Sequence, residues 1–150
     1  MKTLARFAAL GALCAAAASC GLPKDSEGTL DRVRESRQIR VGLILAGAPI
    51  DPRAGMLLAR LRAATGAEPR LVPGDAEPLL SRLEEGDLDL VVGRFTAASP
   101  WSTMVTLTPP LATTKQGESE LILAAAMQNG ENAWISLVER EARELPGVEQ

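Results

Sequence analysis

IRVGLIL, residues 39–45, reads as a strand buried on both faces. Apolar and β-branched residues run through it almost without interruption, as they do in the interior strands of a parallel sheet. A second run of this kind, LDLVVGRF, stands at 88–95. Between the two the period changes. Residues 54–65 place Leu57, Leu58, Leu61 and Ala64 at helical spacing, with Arg60 and Arg62 outward and Gly66 to close the helix. A short strand candidate at 68–72 carries Leu71 and Val72. Asp75 then precedes a helix at 76–85, with Leu79, Leu80 and Leu83 on one face and Gly86 at its end. This alternation predicts an α/β domain, a mostly parallel sheet flanked by helices.

The flanking segments extend the pattern. Residues 29–36 form a short helix with Thr29 as N-cap and Leu30 and Val33 inward. AGAPIDP at 46–52 is a Gly/Pro loop. Ser99-Pro100 looks like an N-cap followed by Pro at the first helical position. Residues 104–107 are apolar and short, TPPL at 108–111 breaks any element, and 115–119 is a polar turn. ELILAAAM at 120–127 is a strand candidate. A last helix at 133–145 carries Trp134, Leu137, Val138, Ala142 and Leu145 on one face.

The N-terminus reads as an address. Lys2 and Arg6 precede an apolar run at 7–18, too short for a bilayer, which takes about 20 residues. Residues 1–19 are therefore expected to be a secretory signal. AASCG at 17–21 resembles a bacterial lipoprotein cleavage box, with Ala17 where Leu is usual. Cys20 would then be the lipid-bearing N-terminus of a protein held at the membrane in the periplasm or cell envelope. Residues 20–28 hold that Cys and a Gly-, Pro- and charge-bearing tether, and 29–150 the domain.

Composition excludes several functions. The 150 residues carry a net charge of -3, so nucleic acid is not an expected partner. There is no His and no Tyr, which removes the usual general base and metal ligand. Both cysteines, Cys14 and Cys20, lie near the N-terminus, so the domain has no disulfide or thiolate zinc site. No phosphate-cradling, dinucleotide-binding or nucleophile-elbow motif occurs. The expectation is a non-enzyme without metal or cofactor. Glu84, Glu85, Asp87 and Asp89 read as a solvated rim, and Glu139, Glu141 and Glu144 as the wet face of the last helix.

In open parallel sheets, ligands sit beyond the carboxyl ends of the strands. The candidates there are residues 46–50 and 94–101. Arg94, Thr96, Ser99 and Trp101 offer a cation, two hydroxyls and an apolar plate, and backbone N–H groups after Ser99 would suit an anion. The same residues also fit a plainer account, in which Thr96 and Ser99 cap and turn, Arg94 is solvated and Trp101 packs on a neighbour.

The order of motifs resembles the bacterial extracellular solute-binding proteins of family 3, which serve ABC importers of amino acids and other small polar solutes. The pieces are TLDRVRESRQIRVGLIL at 29–45, GMLLARLRAATGAEPRLVPG at 55–74, LLSRLEEGDLDLVVGRFT at 79–96, LTPPLATT at 107–114 and ELILAAAMQNGENAWISLVERE at 120–141. The resemblance implies a single lobe of a periplasmic-binding-protein-like fold that recognises a small polar solute for a membrane transport system. Two departures matter. LATT at 111–114 is followed almost at once by ELILAAAM, so the family's second lobe is missing; a homodimer would supply the absent wall. Thr96 matches the family's ligand-contacting Ser/Thr, but Trp101 stands where amino-acid-binding members carry an Arg that clamps the carboxylate. Arg94 is the substitute cation. The alternative is a degenerate lobe that serves as an envelope scaffold or protein-interaction module and binds no solute.

Overall fold

The computed structural model describes residues 25–45, 49–96, 100–117 and 119–147. The signal segment, Cys20 and Ser99 lie outside the described residues. The chain runs α1 (Thr29–Ser36), β1 (Gln38–Ile44), α2 (Pro52–Thr65), β2 (Glu68–Gly74), α3 (Ala76–Glu84) and β3 (Leu90–Thr96). A single 3-10 turn (Pro100–Thr103) leads to β4 (Val105–Leu107), β5 (Ala112–Gln116), β6 (Ser119–Gln128) and α4 (Asn132–Arg143).

The strands form one sheet in the order β2-β1-β3-β6-β4, with β5 also paired to β6. β1 pairs in parallel with β2 and β3, while β6 runs antiparallel to β3, β4 and β5. The α/β lobe is the expected one, but its sheet is mixed, and parallel pairing ends at β3. The cause is the connection. A parallel pair needs a crossover of a dozen or more residues, which α2 and α3 supply. Between β3 and β6 the described residues hold only the 3-10 turn and two short strands. The chain then reverses in a β5–β6 hairpin at Gly117, whose φ of 63° suits a residue without a side chain. This hairpin occupies the place where the resemblance calls for a second lobe. As a strand, β5 was not visible in the amino-acid pattern, because all but one of its residues are exposed.

Helices cover both faces. Val33 of α1, Leu57, Leu58 and Leu61 of α2, and Trp134, Leu137, Val138 and Ala142 of α4 pack with Ile39, Val41, Leu43, Leu90 and Val92. Each such leucine contributes roughly 1.5–3 kcal/mol through burial. On the opposite face Leu79, Leu80 and Leu83 of α3 meet Val91, Phe95, Ala124 and Ala126. The packing of β1 beside β3 is tight: a Cβ on Gly93 would lie 2.5 Å from Cβ of Ile44.

Several local expectations are corrected. Thr29 is the first residue of α1 rather than its cap, which is Gly28 in the left-handed region. Asp75 precedes α3 without a side-chain cap bond. Asp25 to Gly28, read as tether, dock on the lobe: Asp25 bridges to Glu131, and Glu131 accepts hydrogen bonds from the Glu27 and Thr29 amides and the Ser26 hydroxyl. Burial alone would push the Glu131 carboxyl up, but these donors outweigh it and hold its pKa below the usual carboxylate range.

Asp89 is no solvated rim residue. Its side chain is 1% exposed and pairs with Arg32 at 2.5 Å and Arg40 at 2.6 Å, while its carbonyl accepts Trp134 Nε1–H at 2.7 Å. Glu141 is likewise buried rather than wet, paired with Arg60 at 3.0 Å and Arg140 at 3.1 Å. Both acids lie in charge-rich sequence whose pattern carries no mark of the distant Arg32, Arg40 and Arg60.

Candidate functional site

Beyond the carboxyl ends of β1 and β3 lies a cavity of about 770 Å³. A space of this size suits a small molecule. Leu43 and Ile44 of β1, Val92 of β3, and Leu121 and Leu123 of β6 give it an apolar floor. The parallel pairing of β1 with β3 creates the place, because both strands end on the same side. Pro49, Ile50 and Asp51 of the loop after β1 form one wall.

Arg94 reaches this cavity. It stands two residues beyond Val92 on β3 and so faces the same side of the sheet. Its Nη2 donates to Asp51 Oδ2 at 2.9 Å and its Nη1 to Thr114 Oγ1 at 3.0 Å. Asp51 is also the N-cap of α2: Oδ1 accepts the Arg53 amide at 3.0 Å, and Pro52 takes the first helical position. One carboxylate therefore starts a helix and orients a guanidinium. Only two of the five donors that an arginine carries are taken by these contacts. Lys115 and Gln116 of β5 complete the polar rim. Among the described residues that line the cavity, Arg94 and Lys115 are the cations and Asp51 the anion.

Of the four residues singled out in the sequence, the three that are described do not gather in one place. Arg94 lines the cavity. Thr96 is exposed at the end of β3, two residues further along and on the same side of the strand. Ser99 lies outside the described residues. Trp101 is half-buried against the cluster of Val91, Phe95 and α3, on the face of the sheet opposite Arg94. Packing thus accounts for the indole at that position.

Asp51, Thr114, Lys115 and Gln116 were missed. Asp51 had a local signal: Asp followed by Pro is a helix start, and α2 begins there rather than at residue 54. Thr114 and the two residues after it had none, since they reach the cavity only through pairing of β5 with β6.

No protein-family model and no curated protein matches the chain. Solved structures do. The arginine-bound form of domain 1 from TmArgBP, of T. maritima, matches with a TM-score of 0.64 at 17% identity, over 77% of this chain and 98% of that one. An amino acid ABC transporter substrate-binding protein from Streptococcus pneumoniae, bound to L-arginine, matches with a TM-score of 0.64 at 7% identity, over 78% and 91%. The VFT2 domain of BvgS from Bordetella pertussis gives 0.61 at 9% identity, over 83% and 94%. The fold is that of domain 1 from TmArgBP, a periplasmic-binding-protein-like lobe.

Proposed function

We propose that this protein is an exported, lipid-anchored solute-binding lobe that recognises a small polar solute at the cell envelope for a transport system. The observation that carries this reading is Arg94, oriented by Asp51 and Thr114 at the mouth of an apolar cavity beyond the strand ends. Residues 1–19 act as the secretory signal, and Cys20 takes the lipid that holds the lobe to the membrane. Thr96 adds a hydroxyl at the same strand end. Recognition is non-covalent and requires no cofactor. With one lobe only, the solute keeps part of its surface in water, so affinity is modest unless a second copy closes the open side.

The test is a thermal-shift screen of the full chain with amino acids, polyamines, sugars and organic anions at millimolar concentration. A ligand at one hundred times its Kd stabilises by about 2.7 kcal/mol, a shift of several degrees for a domain of this size. The expected result is a shift with wild-type protein that Arg94→Ala abolishes. Silence across the panel from a cooperatively folding protein would favour the scaffold reading.

A further inference from the structure

We infer that the solute is a carboxylate with an apolar body and no ammonium group; this rests on the solute-binding reading of the Arg94 cavity. The floor is aliphatic, so it rewards burial of a hydrocarbon body. The rim carries two cations, Arg94 and Lys115. Arg94 retains N–H donors for an oxyanion after its bonds to Asp51 and Thr114. The start of α2 adds the positive end of a helix on the Asp51 wall.

A zwitterionic amino acid would need in addition an acceptor for its ammonium group. Among the described residues that line the cavity, the one carboxylate is Asp51, and both its oxygens already accept. Oδ1 holds the α2 amide and Oδ2 holds Arg94, so its charge is matched within the protein. Thr114 Oγ1 already accepts from the same guanidinium. An ammonium group taken into this cavity would lose water without gaining a counter-charge. An aliphatic carboxylate meets no such cost, and its anionic group finds a net positive rim.

The test is calorimetric titration of the full chain with isocaproate, L-leucine and isopentylamine. These share one branched hydrocarbon body and differ only in which charged groups they carry. The expected order is isocaproate at least about tenfold tighter than L-leucine, with no binding of isopentylamine. Arg94→Gln should weaken isocaproate about tenfold or more, and Lys115→Gln by a smaller factor. Both residues are exposed, so circular dichroism should show both variants folded. L-leucine binding as tightly as isocaproate overturns the inference and leaves the solute-binding reading standing, whereas isocaproate affinity unchanged in Arg94→Gln overturns both. No binding of isocaproate also overturns the inference. The broad thermal-shift panel then judges the wider reading separately, through a hit or its absence.

Discussion

Asp51 and Arg94 are joined by the carboxylate oxygen that the α2 cap leaves over. Oδ1 accepts the Arg53 amide and Oδ2 holds Arg94 Nη2 at 2.9 Å. The pair is partly exposed, so its contribution to stability is small, about 0–1 kcal/mol. Its weight falls on the charge that Arg94 offers to a ligand.

Asp51→Asn separates these roles. Asn caps helices as well as Asp does, so α2 should keep its start and the melting temperature should change little. Removing the carboxylate charge releases the Arg94 guanidinium, and the affinity for isocaproate should rise by roughly threefold to tenfold. Titration of the variant and a melting curve check this. A fall in affinity at an unchanged melting temperature would mean that orientation of the guanidinium by Asp51 outweighs its neutralisation.

Glu131 makes the lobe sensitive to acid. Hydrogen bonds from Ser26, Glu27 and Thr29 favour its charged form and hold its pKa below the ordinary value. The sign follows from the native state binding its proton more weakly than the unfolded chain. The stabilisation is fully present above the ordinary carboxylate range and is lost as pH falls through the lowered native value. Glu131→Gln should cost about 1–3 kcal/mol at neutral pH. That deficit should shrink as the wild-type carboxyl is protonated. Thermal unfolding of both proteins across the acid range measures the gap, and a gap that stays constant to the lowest pH would refute the assignment.

Trp101 separates packing from recognition. It rests against the cluster of Val91, Phe95 and α3, away from the Arg94 face. Trp101→Ala should lower stability by about 1–2 kcal/mol, a melting shift of several degrees. Solute affinity should stay within about twofold of wild type, because the indole packs on the face of the sheet opposite Arg94. Lost binding at an unchanged melting temperature would instead make the indole a ligand plate.

Periodicity located β1, β3, α2 and α3 because each is encoded within a dozen residues. Caps were legible where residue type alone decides them: Gly66, with φ of 70°, closes α2 as read. The charged residues resisted this kind of reading. Asp87 is exposed and Asp89 buried, two positions apart in one acidic stretch. What separates them is Arg32, Arg40 and Trp134, which no local pattern ties to either acid.

The same division runs through the site. By itself, the sequence determined the α/β order of elements, the buried strands and the strand end at which Arg94 stands, since hydrophobic period and turn chemistry are local properties. Only the tertiary structure decided that Arg94 meets Asp51 and Thr114, that Lys115 joins the rim and that Trp101 turns to the other face. Those contacts depend on how β1, β3, β5 and β6 pair. Pairing brings together residues far apart in the chain, and its outcome is set by the packing of the whole sheet rather than by any one segment.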